Sequence, residues 1–219
     1  MHGIDGLVRR REIGNRAGEV RVRDAEIERV STFATRSSHE AVLLVDEALL
    51  DRKSRDAEKS KRKREVHALH LSDEDPIQRM LNAVQPGSYI RPHRHLAPPK
   101  SETIVILRGS LGYAPFDERG NPVEDRFILL DPGRGAFAVD TRAGVWHTFF
   151  ALEENTVLFE AKAGPYDPIG DKDFASWAPV EGDSDAENYL MGIEDRFRRA
   201  FGLGARQWGR KGSGTGDSS

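Results

Sequence analysis

The stretch "GSYIRPHRHLAPPKSE" sets two histidines, His93 and His95, one residue apart, and follows them with a proline-stiffened gap and a carboxylate, Glu102. In an extended segment alternate side chains share a face, so the two imidazoles stand roughly 6 to 7 Å apart, where one cation can meet both. Taken alone, such a pair reads as two surface or hydrogen-bonded histidines. Two further features shift the reading to a metal. Glu102 opens an apolar strand that ends in Gly109, and "GVWHTFF" puts His147 on another strand just after a glycine turn. Three neutral imidazoles and one carboxylate leave a divalent ion with net positive charge and, in six-coordinate geometry, with open positions. Such an ion can acidify a bound water, polarise a carbonyl or hydroxyl, or, as iron, bind dioxygen.

The rest of the composition narrows the chemistry. The 219 residues include no cysteine, so there is no disulfide framework or thiolate, and a metal must be held by nitrogen and oxygen. Zinc, iron(II), manganese and nickel all tolerate the set of His93, His95, Glu102 and His147, and the sequence does not choose among them. A net charge of -3, from 33 basic and 36 acidic residues, gives no reason to expect nucleic acid or an anionic membrane as partner. No apolar run approaches the roughly 20 residues of a membrane span, and the basic N-terminus is not followed by an apolar leader segment, so a cytoplasmic protein is expected.

Residues 77–162 carry short segments rich in Val, Ile, Leu, Phe and Tyr. They are separated by turn signals such as "QPG", "DERGNP", "DPGRG" and "EEN". Strands are expected near "LNAV", "SYIRPHRH", "ETIVILRGSLGYAPFD", "FILLD", "AFAVD", "VWHTFFAL" and "TVLFEAK". Connections this short exclude crossover helices, so the sheets should be antiparallel, as a sandwich or barrel. Before them, residues 40–65 open apolar and become densely charged, the pattern of a helix whose first turns pack and whose remainder is solvated. The basic run at 59–64, with Asp56, Glu58 and Glu65 beside it, reads as a solvated face rather than a nucleic-acid patch.

Residues 1–41 form an extension in which Val20, Val22, Ile27 and Val30 could make a short strand or helix. After the strands, "AGPYDPIGDKDFASWAPVEGDSD" suits an ordered lid anchored by Tyr166, Phe174 and Trp177. Ser184 and Glu187 resemble a capping box, and Tyr189, Ile193, Phe197 and Phe201 recur at helical spacing, which predicts an amphipathic helix within 180–205. Residues 206–219 read as a disordered tail.

The residues resemble the cupin superfamily, whose first motif runs Gly-x5-His-x-His-x3-4-Glu-x6-Gly. Gly87, His93, His95, Glu102 and Gly109 match it, except that six residues separate His95 from Glu102. Of the second motif, Gly144 and His147 match, while Arg142, Ala136 and Ala151 replace the usual proline, glycine and asparagine. A narrower resemblance, carried by "DEDPIQRMLNAVQPGSYIRPHRH", "PPKSETIVILRGSLG", "GVWHT" and "GPYDPIGDKDFASWAP", is to the cupin fold metalloproteins of the WbuC family and covers 42–179. It implies an all-β, antiparallel jelly-roll barrel with an N-terminal helical segment and a C-terminal amphipathic helix. It also implies a bound metal and a link to O-antigen or other surface-polysaccharide clusters.

Candidate contacts for a small-molecule ligand follow. Tyr89 and Arg91 share the histidines' face if the strand alternation holds. Arg79, like His67 and His70, lies in a segment that the resemblance places near the barrel mouth, although ordinary hydrogen-bonded histidines explain His67 and His70 as well. Tyr166 and Lys172 sit in the lid, where Tyr166 could equally be a packing anchor. Two functions stay open: a metal-dependent isomerase, lyase or dioxygenase acting on a small polar or sugar-like molecule, and a non-catalytic binder in which the metal is structural or only holds ligand. A homodimer is expected, since small cupins expose sheet edges that need covering.

Overall fold

The computed structural model describes residues 26–39, 41–167 and 170–209. Val20, Val22 and residues 210–219 of the expected tail lie outside the described residues. The chain runs β1 (Glu26–Ser31), β2 (Ala34–Ser38), α1 (Glu47–Lys59), β3 (Arg64–Ala68), β4 (Ile77–Val84), β5 (His93–Arg94), β6 (Glu102–Arg108) and β7 (Leu111–Pro115). It continues through β8 (Ile128–Leu130), β9 (Ala138–Thr141), β10 (His147–Ala151), β11 (Thr156–Ala163), β12 (Asp173–Phe174) and α2 (Ala186–Ala200).

The strands form two sheets, ordered β1-β2-β3-β4-β11-β6-β9 and β12-β5-β10-β7-β8. Val84, Ile104, Ile106 and Leu158 of the first pack against Leu111, Tyr113, Leu130 and Phe149 of the second. This is the face-to-face, double-sheet arrangement that jelly rolls and cupins share. The strand period places the residues: along β11, Leu158, Glu160 and Lys162 face inward while Val157 and Phe159 face α1. One end of the interior is therefore apolar and the other polar.

Three differences from the sequence reading have physical causes. The helix expected over 40–65 occupies only Glu47–Lys59, started by the Asp46 side chain accepting from the Leu49 N–H. It packs along its length, through Leu50, Lys53, Ser54 and Ala57. The "REVHA" segment after it is a strand, missed because its charged flank masks the alternation. Second, the larger sheet is not antiparallel throughout: β1 and β2 extend it, and β2 pairs with β3 in parallel, a pairing that α1 permits as the crossover. Third, no capping box forms at Ser184, because the residue before α2 is Asp185 in the helical region with no side-chain cap. α2 buries Ala186, Leu190, Ile193 and Phe197 against Phe116, Phe127 and Phe150 on the outer face of the smaller sheet, so it docks on its own domain.

Candidate metal centre

Sheet pairing brings the four sequence-distant side chains together. His93 lies directly opposite His147 across the β5–β10 pair, and Glu102 is the first residue of β6. The six residues between His95 and Glu102 are taken up in a turn in which Leu96 bridges Pro99 and the Lys100 N–H returns to the His95 carbonyl at 3.3 Å. Register after that turn is kept by Gly109, at φ +75°, where an added Cβ would stand 2.4 Å from Thr156 Oγ1. Gly144, at φ +82°, turns the chain into β10 and donates its N–H to the His95 carbonyl at 3.1 Å.

His93, His95, Glu102 and His147 are all buried, and one ligand atom from each lies within 4.8 Å of the others. Each imidazole spends its Nδ1 on a backbone carbonyl: His93 on Arg91 at 3.0 Å, His95 on Asp171 at 2.5 Å, and His147 on Val145 at 2.9 Å. A carbonyl can only accept, so Nδ1 carries the hydrogen and a neutral ring presents the Nε2 lone pair to the cluster. The Nε2 atoms of His93 and His95 and the Oε1 atom of Glu102 are buried without a hydrogen-bond partner. Orphaned acceptors of this kind are costly and rare unless something fills them.

Glu102 Oε2 stands 3.1 Å from His147 Nε2, and its Oε1 stands 3.4 Å from His95 Nε2. Burial alone would raise the Glu102 carboxyl, but a proton on the Nε2 of His147 or His95 outweighs it and holds it well below the ordinary carboxylate range, a place that a bound cation would take instead. Burial also holds the His93 ring well below its usual value, with Lys172 and His147 adding to the effect. Neutral imidazoles, an ionised carboxylate and carbonyl-fixed ring orientations are what a divalent cation needs, so these residues fit such an ion. Tyr113 stacks on His147 with ring centroids 5.4 Å apart, and its hydroxyl shares a 2.8 Å hydrogen bond with Thr141 Oγ1.

Around the cluster lies a charged interior that the sequence reading left unassigned. Lys162 pairs with Glu102 across β11 and β6, and its ammonium lies 2.5 Å from Asp171 Oδ2 and 3.8 Å from Glu160 Oε1. Lys100 reaches the other Asp171 oxygen at 3.2 Å and the Pro165 carbonyl at 2.8 Å. Asn82 Nδ2 donates to Glu160 Oε2 at 3.0 Å. Burial, with the Glu102 charge beside it, pushes the Glu160 carboxyl upward. The available signal was the parity of "TVLFEAK", where Glu160 and Lys162 fall in phase with the core residue Leu158.

The five residues read as ligand contacts separate. Arg79 shares the outward face of β4 with Leu81 and Ala83 and is ion-paired to Asp75 at 2.9 Å. Tyr89 packs against α2 on the outer face and donates its hydroxyl to the Pro179 carbonyl at 2.8 Å. Arg91 donates to the Ala175 carbonyl through Nη2 at 2.7 Å. The expected alternation from Tyr89 to His95 fails because 85–92 is not laddered strand, and Ile90 rather than Tyr89 joins the interior core. His67 and His70 are hydrogen-bonded within the fold, to Thr35 and Ser37 and to the Arg79 backbone. Of the three aromatic residues expected to anchor the strap, Trp177 packs against Phe116 and Trp146, whereas Tyr166 and Phe174 are 41% and 53% exposed. Phe174 still reaches the site's rim, its ring 6.1 Å from that of His93. Lys172 sits just before β12, where it acts electrostatically on His93, Glu102 and Glu160.

Residues 45–129, less than half of the chain, match the family described as Domain of unknown function (DUF6016), a span that takes in His93, His95 and Glu102 but stops short of His147. No curated protein matches the chain. Among solved structures it is similar to KdgF from Halomonas sp., at 13% identity and TM-score 0.37 over 48% of this chain and 82% of that one. It is also similar to the capsular polysaccharide assembling protein CapF from Staphylococcus aureus, at 19% identity and TM-score 0.37 over 46% of this chain and 27% of that one. A third is the Lactobacillus farciminis oxalate decarboxylase, at 14% identity and TM-score 0.39 over 64% of this chain and 36% of that one. Similarity at this level says nothing of activity. Among the described residues no helix is long and apolar enough to cross a membrane.

Proposed function

We propose that this chain is a metal-dependent cupin enzyme acting on a small polar or sugar-like molecule, of the WbuC kind, working as a cytoplasmic homodimer in surface-polysaccharide synthesis. One observation carries the metal reading: three imidazoles, each fixed by a carbonyl at Nδ1, turn their Nε2 atoms on a common point beside an ionised Glu102. His93, His95, Glu102 and His147 would hold the ion, which when bound supplies Lewis-acid polarisation of a hydroxyl or carbonyl, or an acidified water. Tyr113 fixes the His147 ring by stacking, and Phe174, with Lys172 two residues before it, borders the site beside His93. Of the residues read from sequence as ligand contacts, Lys172 and Tyr166 stay in this role. Arg79, Tyr89 and Arg91 are committed elsewhere.

The second reading, a binder without turnover, is favoured by the way Lys100, Lys162 and Asp171 satisfy one another, which leaves them few protons to exchange. The test is incubation of the chain, loaded in turn with zinc, iron(II), manganese and nickel, with neutral sugars and sugar acids, followed by proton NMR. Conversion that a chelator abolishes supports the enzyme. Saturable binding without conversion supports the binder, and neither conversion nor binding ends both.

A further inference from the structure

The charged groups beside the cluster leave two unmet needs. Asp171 accepts both Lys162 and Lys100, one on each oxygen, so those three residues are matched. Lys172 stands apart from them: it is half-buried, no hydrogen bond or ion pair joins its ammonium to another described residue, and it feels Lys162, Glu160, Glu102 and Asp171 through their charges. Its direction follows from the sheet. β12 pairs with β5 so that Phe174 faces His93 and Asp173 faces Arg94. Opposed residues share a face, and the chain alternates, so Lys172 leaves on the side of Phe174, His93 and His95.

The second need is an acceptor. Asn82 is 7% exposed and belongs to the inward face of β4. Its Nδ2 meets Glu160 Oε2 at 3.0 Å, the orientation an ionised Glu160 requires, and its Oδ1 is then buried with no partner. A buried amide oxygen without a donor is costly, so a ligand that brings a hydrogen there recovers that cost. The charge count points the same way. Three neutral imidazoles add nothing, Glu102 cancels only half of a divalent ion, and Lys172 adds a further positive charge.

We propose, resting on the metal-centre reading above, that the ligand of this site is a small hydroxylated carboxylic acid, its carboxylate recognised by the Lys172 ammonium and its hydroxyl donated to Asn82 Oδ1. The ligand therefore supplies one anion and at least one hydroxyl, which excludes neutral sugars and simple fatty acids as good ligands. Lys172 is the selector for charge and Asn82 the selector for the hydroxyl.

Three three-carbon probes separate these contacts: lactate, propionate, which lacks the hydroxyl, and 1,2-propanediol, which lacks the carboxylate. Each is titrated calorimetrically into the full chain after a metal titration has shown the site to be loaded. Lactate is expected to bind best, with propionate about threefold or more weaker and propanediol about tenfold or more weaker. Lys172→Gln should cut the preference for lactate over propanediol at least about threefold, the loaded centre keeping the remainder, and Lys172→Arg should keep it whole. Asn82→Ala should erase the preference for lactate over propionate while leaving the charge preference intact. Where Asn82→Ala does not fold, the half-buried strap position Lys172 decides alone. Failure of lactate to bind the loaded chain, equal binding of lactate and propanediol, or a Lys172→Gln variant that discriminates as the parent does would overturn the proposal. A chain that takes up no metal in the first titration instead overturns the reading beneath it.

Discussion

His67 has no exposed surface, and both of its ring nitrogens are occupied, Nδ1 at 2.8 Å from Thr35 Oγ1 and Nε2 at 2.8 Å from Ser37 Oγ. Lys53 Nζ already donates to Thr35 Oγ1 at 3.0 Å, so the Thr35 hydroxyl hydrogen is free for Nδ1, and Nε2 carries the ring's own hydrogen to Ser37. A second ring proton on Nδ1 would force the Thr35 hydroxyl to turn its own hydrogen away and to accept from two cations at once. Burial, with the Lys53 and Arg52 charges adding and Asp56 opposing, lowers the pKa of His67 from 6.5 to about 4. The folded value lies below the unfolded one, so the neutral ring's contribution is fully present above pH 6.5 and is lost as pH falls toward 4. That fall corresponds to about 3 kcal/mol, of which about 2 kcal/mol is gone by pH 5. Urea unfolding of the native chain and of His67→Gln at pH 7.5, 6 and 5 measures it. The native chain should lose about 2 kcal/mol more than the variant between the first and last conditions. Parallel pH dependence in the two proteins would refute the reasoning, whatever the variant's absolute stability.

Phe197 is fully buried with its ring 5.3 Å from those of Phe127 and Phe150, so Phe197→Ala should cost about 3–5 kcal/mol in chemical denaturation. A loss under about 1 kcal/mol would mean that α2 does not anchor the smaller sheet. Gly109→Ala sets a Cβ 2.4 Å from Thr156 Oγ1 at a positive φ and should lower stability by more than about 1 kcal/mol, whereas an unchanged melting temperature would contradict the tight β6–β7 hairpin. Light scattering at micromolar concentration should return a dimer mass. A monomer mass alone would end the homodimer expectation.

Periodicity made the β-rich core readable from sequence, since the strands from β4 to β11 combine in-phase apolar residues with glycine and proline turns. It failed where charge covered the pattern. β3 begins with Arg64 and Glu65, buried through partners distant in sequence, Glu181 for Arg64 and Arg29 for Glu65. The four clustered side chains were readable because the His-x-His pair sits beside a strand-opening glutamate and a post-glycine histidine. Tyr89 and Arg91 were misplaced because two-residue alternation was carried across 85–92, where no ladder holds the chain. Glu160, Lys162 and Asn82 were missed for the opposite reason: in-phase polar residues in apolar strands look like solvent-facing positions until the partner sheet is known to cover them.

Equilibrium dialysis of the chelator-stripped chain against zinc and manganese, with metal content determined for the native protein and for Glu102→Ala, tests the central claim most directly. The native chain should take up a single ion, and the variant should stay folded while binding it at least about tenfold more weakly. Native protein that holds no stoichiometric metal, or Glu102→Ala that holds it as tightly, would contradict the four-residue centre.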